Sequence, residues 1–146
     1  MKVLSPSTHG YLDYLFGALL LLAPTFFDFG GTAAALCYGF GTLHIAVSLI
    51  TRYPLGAIPW MSYPVHGSYE LLVGALLAAS PWIFGFAGVE VARNVLLVAG
   101  FGLLAVWGMT DYRRLAVDAL ASGSTRDEFP RSTLPFPPTR DHRDAA

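Results

Sequence analysis

The sequence predicts an all-α membrane protein, with four transmembrane helices arranged as two tandem helical hairpins. Three observations lead there. The chain of 146 residues is 54% hydrophobic and only 13% charged, against roughly 25% charged in soluble domains. Residues 9–31, HGYLDYLFGALLLLAPTFFDFGG, return without a gap as residues 66–88, HGSYELLVGALLAASPWIFGFAG, fifty-seven positions later. A further apolar run of helix length comes after each of these stretches, and a fixed internal period is the mark of a repeated structural unit.

The self-match pairs His9 with His66, Gly10 with Gly67, Asp13 with Glu70, Gly17 with Gly74, Pro24 with Pro81, Phe27 with Phe84 and Phe29 with Phe86. The unit is therefore read as duplicated. Residues 1–121 form one membrane domain, with a first repeat over 9–51 and a second over 66–112. Residues 122–146 are rich in Ser, Pro, Arg and Asp and poor in aliphatic side chains. Such a segment buries too little apolar surface to fold, so a disordered cytoplasmic tail is expected.

Each element has a local chemical reason. Met1 to Thr8 is a short polar lead-in, and Ser7 or Thr8 can cap the first helix. Helix one runs from His9 to Phe27, about 28 Å at 1.5 Å per residue, close to the thickness of the hydrocarbon layer. Pro24 removes a backbone donor near its end and predicts a kink or an early stop. Asp28 to Gly31 is a tight turn, and helix two runs from Thr32 to Ile50, where Gly39 and Gly41 allow close backbone approach. Arg52 to Pro64 holds three prolines, Trp60 and two tyrosines, the composition of an interfacial connection. Helix three, Val65 to Phe84, repeats helix one, and helix four runs from Val89 to Tyr112. Its Gly100-Phe101-Gly102 echoes Gly39-Phe40-Gly41 at a spacing of sixty-one, so four extra residues are expected between the helices of the second copy. Arg113 to Ala121 continues helix four beyond the membrane.

Lys2, Arg52, Arg113 and Arg114 fall at one set of helix ends, and Asp28, Glu90 and Arg93 at the other. The positive-inside rule then puts both termini in the cytoplasm. Two spans per copy give both copies one polarity, so they are related by a pseudo-two-fold along the membrane normal. A net charge of −1 without a basic patch argues against nucleic acid as a partner. Cys37 sits alone in an apolar run and reads as a small buried hydrophobe.

Three groups of residues bear on chemistry. The first is the duplicated His-Gly-x-x-acid, His9 with Asp13 and His66 with Glu70. Positions i and i+4 share a helix face, so each imidazole reaches its carboxylate, and the glycines on the same face turn it toward another helix. Near a helix start these groups serve to cap and pin the helix. Alternatively they bind a small ligand, a proton or a cation, since carboxylates within a membrane are costly unless used. The second is His44, read as a side chain bonded to a neighbouring helix, with Ala105 at the matching place in the second copy. A haem between His9 and His66 is the lesser alternative, no cofactor being required, and no Cys/His cluster has zinc spacing. The third is Ser80-Pro81-Trp82 with its partner Ala23-Pro24-Thr25. It reads as architecture: a proline bend, a serine that bonds the carbonyl the bend frees, and a tryptophan at the interface.

The run Leu71 to Phe86, with Ser80-Pro81-Trp82 ahead of Ile83-Phe84-Gly85-Phe86, resembles the SPW-repeat family of small bacterial membrane proteins. The first copy departs from it at Ala23, Thr25 and Asp28. The resemblance implies an integral membrane protein of two tandem hairpins and brings no catalytic residues. The sequence forms no catalytic set, so the expected role is non-enzymatic. It is packing within the lipid bilayer, as a homo-oligomer or as an accessory subunit of another membrane protein. The alternative is binding or transport at His9, Asp13, His66 and Glu70, with His44 nearby.

Overall fold

A computed structural model describes residues 3–112. It contains four α-helices: α1 (Pro6–Phe26), α2 (Gly31–Leu49), α3 (Tyr63–Ile83) and α4 (Glu90–Met109). Among the described residues the only β-pairing is two isolated bridges, Leu4 with Thr110 and Thr51 with Met61. The expected extension of helix four and the 122–146 tail lie outside the described residues.

Helices α1, α2 and α3 begin earlier than expected, and α4 begins one residue later. Ser5, rather than Ser7 or Thr8, caps α1 by accepting the Thr8 N–H at 3.2 Å. Pro6 then occupies the first turn, where its missing N–H costs nothing. Pro64 does the same for α3. At the other end α1 stops at Phe26, two residues past Pro24, and α3 stops at Ile83, two past Pro81. Pro81 has no N–H for the Leu77 carbonyl one turn back, and the Ser80 hydroxyl donates to that carbonyl instead, at 2.7 Å. This is the bond anticipated from the serine-proline pair. The turns after α1 and α3 need left-handed backbone, at Asp28 (φ 50°) and at its counterpart Gly85 (φ 73°).

Helices pair within each hairpin, α1 with α2 and α3 with α4, and the two hairpins touch each other far less. Each pair crosses at a glycine contact. A Cβ on Gly41 would lie 3.0 Å from the Gly17 carbonyl oxygen, and one on Gly100 would lie 2.7 Å from that of Gly74. Only residues without side chains let the backbones approach so closely. Gly39 and Gly102, by contrast, face open space.

These crossings correct the alignment of the second helices. Gly41 matches Gly100, not Gly102, at a spacing of fifty-nine. Two residues, rather than four, are extra in the second half. On this register Ala33 matches Ala92, Cys37 matches Leu96 and His44 matches Leu103, all buried. Thr51 matches Thr110 and Tyr53 matches Tyr112.

Two helices, α2 and α4, are long and apolar enough to cross a membrane, with mean hydropathies of 1.4 and 1.7. Helices α1 and α3 open on polar turns that bear His and acid, and they fall outside that class. The starts of α1 and α3 and the ends of α2 and α4 lie together. Val3 N–H donates to the Met109 carbonyl at 2.8 Å, and the connection after Thr51 folds back through Arg52 N–H to the Met61 carbonyl at 2.8 Å.

Gly100→Ala places a methyl group 2.6 Å from the Ala78 backbone nitrogen and is expected to cost about 1–3 kcal/mol, as overpacking does. Gly102→Ala should leave the melting temperature unchanged or raise it, and thermal melts of the two variants in mild detergent compare them directly. Ser80→Ala leaves the Leu77 carbonyl without a donor and is expected to cost about 1 kcal/mol in the same assay.

Candidate functional site

The polar ends of α1 and α3 meet in the interior, where His9, His44, His66 and Glu70 are 0% exposed and Asp13 is 1% exposed. They do not lie near a surface as capping groups would. The cause is the fold of the connections. Tyr53, Tyr63 and Tyr112 close over this end as one buried cluster, and Gly10 and Gly67 give the rings of Tyr53 and Tyr112 room to lie against the helices.

Each histidine is fixed by a threonine from the other half of the chain. His9 Nδ1 lies 3.0 Å from Thr110 Oγ1, and His66 Nδ1 lies 2.8 Å from Thr51 Oγ1. The threonine hydroxyls donate to the Val106 and Val47 carbonyls at 2.7 and 2.6 Å. A hydroxyl has one hydrogen, so each threonine can only accept from its histidine. Nδ1 therefore carries a proton in both rings, and Nε2 points inward.

The inward atoms converge. His9 Nε2 and His66 Nε2 are 3.5 Å apart. His9 Nε2 is 3.3 Å from Asp13 Oδ1 and 3.3 Å from Glu70 Oε1. His66 Nε2 is 3.3 Å from Asp13 Oδ2 and 3.5 Å from Glu70 Oε1. One donor atom from each of the four residues can be chosen so that all lie within 4.8 Å of one another. Both Asp13 oxygens and Glu70 Oε1 have no hydrogen-bond partner. The remaining Glu70 oxygen accepts from the Tyr112 hydroxyl. Burial and the adjacent Glu70 carboxylate push the Tyr112 phenol up, so it remains a donor. Burial and the Asp13 charge do the same for Tyr53.

His44 stands to one side. Its Nε2 is 3.7 Å from Asp13 Oδ1, and its ring stacks on Tyr69 and meets Phe16 edge-on. Neither of its nitrogens has a hydrogen-bond partner, nor do the hydroxyls of Ser48, Tyr53 and Tyr69. Its polar contact with a neighbouring helix is the one to Asp13 of α1, longer than a hydrogen bond. On the corrected register its counterpart is Leu103, not Ala105, so this side of the centre has no equivalent in the second half.

All five residues singled out from the sequence are thus brought together. Thr51, Thr110, Tyr53 and Tyr112 were missed. Their signal was present as Thr-Arg-Tyr at 51–53 and Thr-Asp-Tyr at 110–112, but a spacing of sixty-one hid it. The serine-proline group lies apart from this centre. Ser80 is engaged with the Leu77 carbonyl, Pro24 and Pro81 are buried, and Trp82 is 60% exposed on the outside.

Comparison with curated proteins and with solved structures gives no match. A family model described as the SPW repeat domain matches residues 7–110, which takes in both hairpins and every member of the buried centre except Tyr112. The chain belongs to the SPW repeat domain family.

Proposed function

We propose that this is a four-span protein of the bacterial inner membrane that binds a small cation in its interior, at His9, Asp13, His66 and Glu70. The observation that carries the reading is the convergence of acceptors. With Nδ1 of both histidines donating outward, Nε2 of both rings and two carboxylates face one another at 3.3–3.5 Å in a fully buried space. A cluster of acceptors excluded from water is stable only around positive charge. Packing as the sole role, as a homo-oligomer or an accessory subunit, gives no reason for that convergence. Haem is disfavoured, because the two rings meet edge to face with centroids 5.5 Å apart, too close for a porphyrin plane between them.

The four-span reading extends what α2 and α4 support. On α1 the exposed side carries Tyr11, Leu15, Leu19, Leu22 and Phe26, a stripe at helical spacing. A helix facing water would be polar there. On α3 Leu72, Trp82 and Ile83 are exposed in the same way. The His-and-acid end lies with Arg52 and the start of α1, so the positive-inside rule assigns that end to the cytoplasm.

Cysteine labelling tests the topology. Asp28→Cys and Gly88→Cys should react from the outer side and Arg52→Cys from the cytoplasmic side, Cys37 being buried and silent. If only α2 and α4 span, positions 28 and 88 will label from opposite sides. Cation binding is tested by thermal melts against a panel of monovalent and divalent salts. At least one ion should raise the melting temperature in a saturable way, and Asp13→Asn with Glu70→Gln should abolish the rise. A wild-type protein indifferent to every cation, protons included, returns the centre to a packing role.

A further inference from the structure

We propose that the centre is a closed, four-coordinate site for one divalent transition-metal ion, bound by Nε2 of His9 and of His66 and by one carboxylate oxygen each from Asp13 and Glu70. The proposal rests on the cation reading above and names its occupant.

Spacing distinguishes a metal from protons. If the imidazoles were protonated and bonded directly to the carboxylates, N···O distances of about 2.7–2.9 Å would be expected. The four contacts are 3.3, 3.3, 3.3 and 3.5 Å, and the nitrogen pair is 3.5 Å apart. For metal–ligand bonds of about 2.0–2.1 Å, the edge of a tetrahedron is about 3.3 Å. With Asp13 Oδ1 as the donor, three N···O edges of 3.3–3.5 Å and the 3.5 Å nitrogen edge come close to that value, and the set of one donor atom per residue lies within 4.8 Å.

The donor chemistry narrows the ion. Two imidazoles with two carboxylates suit zinc and its first-row neighbours. Calcium and magnesium call for six or more oxygens, and a thiolate-seeking ion finds none, since Cys37 belongs to the separate apolar core. The outer layer is of the kind that orients metal ligands. Each histidine donates its other N–H to a threonine, and the second Glu70 oxygen is taken by Tyr112. All four ligands are buried beneath tyrosines, which marks a closed site with no position held open for a substrate.

The site also lies where an ion would do most for the fold. One His and one acid come from each hairpin, and the hairpins otherwise share few contacts. The ion joins the halves at their cytoplasmic end. His44, beside Asp13 on one side only with Nε2 3.7 Å from Oδ1, is placed to steady that carboxylate.

The test uses the full chain in mild detergent, stripped with a chelator and titrated with Co²⁺. The expected result is saturation at one ion per chain, with the intense visible bands of four-coordinate cobalt, and displacement by Zn²⁺. His66→Gln should abolish the bands. Thr51→Val and Thr110→Val keep the four ligands and should weaken binding about 10–100-fold at unchanged stoichiometry, a change that a purely structural threonine would not cause. Ser80→Ala, remote from the centre, should bind as wild type does. Weak, pale octahedral cobalt spectra, or no binding of either metal, overturn the proposal. If stability then still responds through Asp13 and Glu70 to pH alone or to a monovalent ion, the broader cation reading stands without it. If nothing responds, both fall.

Discussion

Each of two threonine hydroxyls has one hydrogen, and the helix carbonyl one turn back takes it. A lone pair is all that remains for the neighbouring histidine, so the imidazole must turn its N–H outward and its Nε2 inward. The rest of the interior answers to that constraint. Two inward nitrogens meet two carboxylates, water is excluded by a layer of tyrosines, and the phenol of Tyr112 occupies the one carboxylate oxygen that points away. Buried acceptors that face one another cost several kcal/mol each unless a positive charge lies between them. The chemistry of the centre is thus set by hydrogen bonds one layer outside it.

The fold serves this arrangement through its glycines. Gly17 on Gly41 and Gly74 on Gly100 bring the helices of each hairpin into backbone contact, and the histidine–threonine bonds then cross from one hairpin to the other. Gly10 and Gly67 then admit the rings of Tyr53 and Tyr112. The apolar core of Leu20, Cys37, Leu77, Leu96 and Leu103 fills the space farther along the helices. Polar and apolar interiors are stacked end to end, so the buried acids and histidines are confined to one end of the helix pairs.

Much of this was legible in the sequence, because helical spacing and an ungapped self-match are local properties. The four helices, the turn at Asp28, the bond from Ser80 to the freed carbonyl and the His-acid pairs could all be read from residues a few positions apart. The depth of the centre could not. His9 and His66 look like cap residues because they lie near helix starts, and they are buried only because tyrosines from remote connections fold over them. The threonines escaped because the match of the second helices was anchored on a Gly-Phe-Gly triplet, in which only one glycine of each copy makes a crossing. Packing, rather than residue identity, decides which glycine that is. The polar turns that build the centre lower the mean hydropathy of α1 and α3, and only α2 and α4 are long and apolar enough to cross a membrane.

The exchange of threonines between the halves has a consequence in time. His9 belongs to the first hairpin to leave the ribosome, yet its threonine lies 101 residues further along the chain. The His66 threonine is older than His66 itself, by 15 residues. Neither hairpin can orient its own histidine, so no partial product of synthesis contains a working centre. Of the groups that surround the two histidines, Thr110 and Tyr112 beyond the end of α4 are synthesised last, and Thr110 sets the first histidine. The protein is therefore built so that its most charged interior closes only when the chain around it is already in place.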